Sequence, residues 1–267
     1  MRLQKFLEHA LKILNKRSTP PVVGGMRKTQ PGPPGFGDGV LVPFANSIWT
    51  ATTPIRFAGT WFPHVMAVVR LASGYLLLHS PCQPSDDLMH EIGRLGRVAD
   101  VVAPNWFHDL YLADYRELYP DATFWAPAFL RRLRGSIIDR VLDGATRPPW
   151  FDEMPHVCLS GLLTLDECVF FHDATRTLIV ADLLINASAD ARTPALTKLG
   201  YRFLGLNGEL KVFPILRWFG LTNRASLRRV ARRILEWNPD RLILAHGRPI
   251  KENVASQLHM AFRWLAP

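Results

Sequence analysis

An α/β fold is predicted for this 267-residue chain by two features of the sequence. Four apolar runs each end on a residue able to bind a metal or handle a proton. They are Tyr75-Leu76-Leu77-Leu78 before His79, Val101-Val102-Ala103-Pro104 before Asn105, Leu178-Ile179-Val180-Ala181 before Asp182, and Leu242-Ile243-Leu244-Ala245 before His246. Runs this short, bounded by polar or turn residues, read as buried strands. The second feature is order: a β-meander, β/α units, a second meander and further β/α units, so that the two halves repeat in kind. In α/β proteins, site groups gather at the C-terminal ends of strands, so side chains distant in sequence are expected to share one sheet edge.

The elements follow in order. Gly39 to Trp49, Val65 to Leu71 and Tyr75 to Leu78 read as strands, with Ala72-Ser73-Gly74 as a tight turn. Asp86 to Leu95 reads as a helix started by Ser85 and stopped at Gly96. A strand from Ala99 to Ala103, a polar loop, a helix near Ala113 to Leu118 and a strand around Thr123 to Ala126 come next. An irregular stretch holds Pro148-Pro149-Trp150, after which Cys168 to Phe171 and Thr177 to Ala181 form strands joined by a turn at Asp173-Ala174-Thr175-Arg176. The last third holds an Arg-rich helix, a strand from Arg241 to Ala245 and a helix from about Glu252 to Trp264. In the Arg-rich helix, Leu227, Val230, Ala231, Ile234 and Leu235 fall at helical spacing, which sends Arg228, Arg229, Arg232 and Arg233 to the opposite face. That face is expected to be solvated, with an anion-binding patch as the alternative.

Three segments are expected. Residues 1–17 form a basic amphipathic helix, with Leu3, Phe6, Leu7, Ala10, Leu11 and Leu14 on one stripe beside Lys5, Lys12, Lys16 and Arg17. Such a helix docks on its own domain or a partner, or lies on an anionic membrane surface. Residues 18–38, rich in Pro and Gly, form a linker or draped loop, and residues 39–267 form the folded domain. Apolar residues at 48% and charged residues at 21% are those of a soluble globular chain, and no apolar run is long enough to span a bilayer. The start lacks a secretory signal pattern, since Lys5, Glu8, His9 and Lys12 interrupt it. Cys82, Cys158 and Cys168 show neither a disulfide framework nor metal knuckles, which leads us to expect a reduced, cytoplasmic protein, peripheral at a membrane if the first helix binds one. The net charge of +9 favours an anionic surface or substrate, but without a nucleic-acid fold signature nucleic acid is not expected as a partner. No G-x-S-x-G elbow, phosphate loop or H-E-x-x-H motif occurs. Cys82, three residues after His79, is a thiolate nucleophile only as a minor alternative.

The order of these strands and polar ends resembles the metallo-β-lactamase-like fold, and most closely its domain-of-unknown-function family 4336. The motifs that carry the resemblance are His79-Ser80-Pro81, Ala103-Pro104-Asn105-Trp106-Phe107-His108, Glu167-Cys168-Val169-Phe170-Phe171-His172, Thr177-Leu178 through Asp182-Leu183, and Ala245-His246-Gly247. The resemblance covers roughly residues 40–265 and implies a four-layer αββα sandwich with its site at the open edge between two sheets. It places Asp182 where active members keep a metal-bridging aspartate and His246 where they keep a second-site histidine. In the HxHxDH loop of active members this chain has Asn105, Phe107 and Leu110 in place of the histidines, and only Asp109 keeps its type. A further ligand histidine is replaced near Leu163, with His156 and His172 on either side, and His79 stands where a strand often ends in aspartate.

A dinuclear zinc centre needs about seven or eight ligands or bridges, more than this set provides. A single divalent ion (zinc, iron or manganese) is expected instead on His108, Asp182 and His246, a two-histidine, one-carboxylate set that leaves positions open to activate water or polarise an acyl or phosphoryl oxygen. His79, Asp109 and His172 are the candidate catalytic groups, the histidines as proton carriers or extra ligands. Asn105 and Trp106 are the candidate substrate contacts, with Trp106-Phe107 and Trp61-Phe62 walling an apolar entrance or packing in the core. The expected function is metal-assisted hydrolysis of a small-molecule ester, thioester or phosphoester. The alternative is a metal-free binding or scaffold protein.

Overall fold

The computed structural model describes residues 32–57, 59–160, 166–214 and 223–265. The predicted helix at 1–17, most of the predicted linker and Leu163 lie outside these residues. Residues 32–40 carry no strand or helix, and Phe36 is buried.

Seven strands form the first sheet, in the order β1 (Leu41–Ala45), β2 (Ile48–Phe57), β3 (Thr60–Arg70), β4 (Leu76–His79), β5 (Val98–Val102), β6 (Thr123–Pro127) and β7 (Arg140–Leu142). The first four run antiparallel as a meander, and β4 through β7 are parallel. A single strand from Gly39 to Trp49 is therefore corrected. The chain reverses at Asn46-Ser47, where Ser47 takes a left-handed backbone (φ 62°), and β2 runs on to Phe57.

The parallel strands need crossovers. Helix α1 (Asp86–Leu95) returns β4 to β5. It starts and stops as predicted: the Ser85 side chain accepts from Leu88 N, and Gly96 ends it with φ 157°. Helix α2 (Leu112–Leu118) leads to β6, and a helix not foreseen, α3 (Ala128–Leu133), leads to β7.

The second sheet has the order β13-β10-β9-β8, where β8 is His156–Leu159, β9 Glu167–His172, β10 Thr177–Val180 and β13 Arg241–Leu244. Helix α4 (Ala195–Phe203) and a two-stranded ribbon, β11 (Leu184–Ile185) with β12 (Lys211–Val212), intervene before α5 (Arg224–Trp237) and α6 (Val254–Phe262).

Alternation along the strands builds the four layers. Val65, Ala67, Val69, Leu77, Val102 and Trp125 belong to the same core cluster as Cys168, Phe170, Ile179 and Ile243, the filling between the two sheets. Their neighbours Met66, Val68, Leu78, Val101 and Phe124 cluster with apolar residues of α1, α2 and α3, while Phe171, Leu178, Val180 and Leu242 cluster with those of α5 and α6. Leu227, Val230, Ala231 and Ile234 of α5 are buried and Arg228, Arg229, Arg232 and Arg233 are exposed.

The cysteine expectation is corrected. Cys158 and Cys168 face each other in the β8–β9 ladder and form a disulfide with a sulfur separation of 2.01 Å. Their spacing follows no CxxC-type rule, and only hairpin register brings them together. Cys82 is buried and free, and burial pushes its thiol up to about 12, which removes it as a thiolate nucleophile.

Candidate metal centre

Strand register brings the polar ends together. Strands β10 and β13 are parallel with Val180 beside Leu244, and Ala245 N donates to Val180 O, so that the next residues along, Asp182 and His246, emerge side by side. Strand β9 is antiparallel to β10, with His172 opposite Thr177 and Phe170 opposite Ile179. The beginning of β9, at Glu167, therefore lies beside the end of β10. From the first sheet, the loop after β5 supplies Asn105 and His108. Val65 N donates to Ala245 O at 2.9 Å, which ties β3 to this edge of the second sheet.

His108, Asp182 and His246 converge, each offering a ligand atom within 4.8 Å of the others. His108 Nε2 stands 3.2 Å from Asp182 Oδ2, and His246 Nε2 stands 3.2 Å from Asp182 Oδ1, so the two imidazoles flank one carboxylate. His108 Nε2 is buried yet poorly aligned with the carboxylate and has no hydrogen-bond partner. A buried nitrogen left in this way, beside a second imidazole and a carboxylate, is the donor set a divalent ion takes, and these residues fit one. His246 is the member that reaches solvent, with its side chain 16% exposed against 1% for His108.

Neighbouring groups hold the set in place. His246 Nδ1 donates to Pro63 O at 2.8 Å, which leaves Nε2 toward Asp182. Asn105 is fully buried, and its Nδ2 donates to Asp182 Oδ2 (2.8 Å) and Glu167 Oε2 (3.2 Å) while its Oδ1 accepts from Phe107 N. Glu167 accepts from the backbone N–H of Ala181 (2.9 Å) and Asp182 (2.8 Å).

Electrostatics separates the two carboxyls. Burial raises Asp182, but the charges of His108 and His246 outweigh it and hold the group well below the usual carboxylate range. Burial, with the nearby charge of Asp182, pushes Glu167 up to about 7 despite its three donors. Burial lowers His246, but the hydrogen bond and charge of Asp182 reverse this and raise it.

The other predicted residues fall elsewhere. His79 ends β4 facing inward between the sheets, its ring 5.3 Å from Phe170, and its Nε2 has no partner. Burial, then the nearby charge of His108, pulls His79 down to about 3, so it is neutral across the physiological range. Asp109 is engaged by Arg134 at 2.8 Å. Trp106 is 4% exposed and packs on Phe107 and Phe129, in the core rather than on an open wall. His172 lies at the far end of β9 from Glu167, with Nδ1 bonded to Thr175 Oγ1.

Besides Glu167, two participants carried no role in the sequence reading. His64, in mid-β3, is buried with its ring 5.1 Å from that of His108 and 5.9 Å from that of His246. Its Nε2 shares a hydrogen bond with Ser80 Oγ (2.8 Å), and Ser80 Oγ shares another with His108 Nδ1 (2.6 Å). Burial first, then His108 and His246, depress His64 well below the ordinary histidine value.

Comparison with solved structures defines the class: this is a metallo-β-lactamase fold. The DIM-1 metallo-β-lactamase aligns with a TM-score of 0.60 at 12% identity over 85% of this chain and 98% of that one. The mono-zinc form of FIM-1 from Pseudomonas aeruginosa aligns at 0.57 with 12% identity, covering 91% of this chain and all of the other. The metal-soaked Flv1 flavodiiron core from Synechocystis sp. PCC6803 aligns at 0.63 with 10% identity, over 86% of this chain and 61% of that one. Within that class, residues 45–204, more than half of the chain, match the model of the domain of unknown function DUF4336, and the protein belongs to that family. A search of curated proteins finds no match to the chain.

Proposed function

We propose that the protein is a hydrolase that holds one divalent metal ion on His108, Asp182 and His246 and cleaves a small ester, thioester or phosphoester. The observation that carries this reading is the convergence of two imidazole nitrogens on one buried carboxylate, each 3.2 Å from an Asp182 oxygen. An ion held there supplies Lewis acidity, lowering the pKa of water and polarising a substrate oxygen. The chain's own groups prepare that chemistry. Asn105 fixes the Asp182 carboxylate, Pro63 O fixes the His246 ring, and His246 borders solvent, from which substrate enters. The fully buried Glu167 accepts from the amides of Ala181 and Asp182 and from Asn105, and so fixes the strand end that presents the Asp182 carboxylate.

A metal-free reading has its own support, because Asp182 is already flanked by two imidazoles and an amide donor. Metal content decides between them. The purified untagged protein is expected to carry, or take up, about one equivalent of zinc, iron or manganese per chain, and Asp182→Ala is expected to lose both metal and turnover of p-nitrophenyl ester or phosphodiester probes. A wild-type protein that takes up no metal from micromolar solutions of all three refutes the hydrolase. A membrane role rests on the sequence of residues 1–17, whose apolar stripe and lysines suit an anionic lipid surface.

A further inference from the structure

We infer that Ser80 and His64 together set the ring proton of His108, making them positioning residues for the proposed metal centre. The inference rests on the metal reading above. A neutral imidazole carries one ring proton, and a nitrogen that ligates a metal gives up its own. If His108 ligates through Nε2, the atom facing Asp182, its proton sits on Nδ1 and is donated to Ser80 Oγ, 2.6 Å away. A serine hydroxyl has a single proton. Having accepted from His108, Ser80 donates to His64 Nε2 at 2.8 Å, and that nitrogen must offer a lone pair. The proton of His64 then resides on Nδ1, which has no partner in the structure. Every proton in the chain is assigned by the choice of one ligand atom.

The backbone shows that Ser80 is held there against its preference. It takes the left-handed region (φ 57°), rare for a residue other than glycine, and it precedes Pro81, which disfavours helical conformations in the residue before it. Strain of this kind persists where the surroundings over-determine it, commonly at functional sites. Here the Ser80 amide donates to Val102 O, and the residue is fully buried, so the hydroxyl is delivered to the two rings by the end of β4. The His64 ring is wedged between His108 and Tyr111, which stacks on it at 6.2 Å. A metal-bound histidine donates its other ring N–H to a fixed acceptor, usually a carboxylate, backbone carbonyl or water, and here Ser80 Oγ stands in that place.

Zinc affinity, measured by competition with a chromophoric chelator, tests the relay without any assay of turnover. Ser80→Ala and His64→Phe are each expected to weaken binding by about 10- to 100-fold. The double variant is expected to be no weaker than the worse single one, because both changes break the same relay. Ser80→Gly relieves the left-handed backbone while deleting the hydroxyl, and it substitutes if Ser80→Ala does not fold. Nitrogen-15 spectra of the zinc-loaded wild type are expected to place the His108 proton on Nδ1. Folded Ser80→Ala or Ser80→Gly that binds zinc within twofold of wild type overturns the inference and leaves the metal reading standing, as does an additive loss in the double variant. A wild-type protein that takes up no zinc overturns both.

Discussion

His79→Leu separates a neutral buried histidine from a working proton carrier. In the native fold the ring is 1% exposed and held at about 3, whereas in the unfolded chain it titrates at its ordinary 6.5. The folded value is depressed, so below 6.5 the unfolded state binds a proton that the native state refuses. Stability is therefore lost as pH falls from 6.5 toward 3. At pH 7.5 the penalty is near zero, and at pH 5 it is about 1.5 pH units of linkage, roughly 2 kcal/mol. Leucine cannot titrate, so its variant escapes this component while sharing every other titration. Urea unfolding of both proteins at pH 7.5 and pH 5, with chelator present, is expected to show wild type losing about 2 kcal/mol more than His79→Leu. Equal losses would refute the assignment of His79 as a buried neutral group. The test is independent of how well leucine packs, since packing enters at both pH values and cancels.

A Cβ at Gly247 would stand 1.9 Å from Asn186 Oδ1, and Asn186 bonds both the N–H and the C=O of Arg248, so Gly247→Ala is expected to displace the loop beyond His246. Zinc affinity is expected to fall at least tenfold while the circular dichroism spectrum stays that of the wild type. Alkylation of the denatured, unreduced protein is expected to label one of three cysteines, Cys82, and Cys158→Ser with Cys168→Ser is expected to cost about 3 kcal/mol for a loop this short. Deleting residues 1–17 is expected to abolish co-sedimentation with anionic liposomes, and retention of binding would locate it elsewhere.

The layered α/β plan was legible because buried strands and capped helices carry local signals. Ser85 and Gly96 marked both ends of α1, and the short apolar runs marked β4, β5, β10 and β13. The same rule, that site groups close a strand, pointed to Asp182 and His246, and the loop motif pointed to His108, three side chains that converge in the structure. It misplaced His172 and passed over Glu167 for one reason: β9 runs antiparallel to β10, so its first residue, not its last, reaches the site. Chain direction is a property of pairing and leaves no trace in a single strand's sequence. His64 was invisible for a different reason. It sits within β3 among apolar neighbours, where a lone polar residue carries no turn or end signal, and its meaning arises only from Ser80 and His108, which follow the neighbouring strands β4 and β5 of the same sheet. The cysteine pair was hidden likewise, since register alone sets Cys158 against Cys168.

The three proposed ligands do not come from one sheet. His108 follows β5 of the larger sheet, and Asp182 and His246 follow strands of the smaller one. An ion at this seam would act as a rivet between the two halves of the sandwich, which could not part there without releasing it. Loading therefore raises the barrier to splaying at that edge. Resistance to limited proteolysis, read with and without zinc, would report occupancy directly.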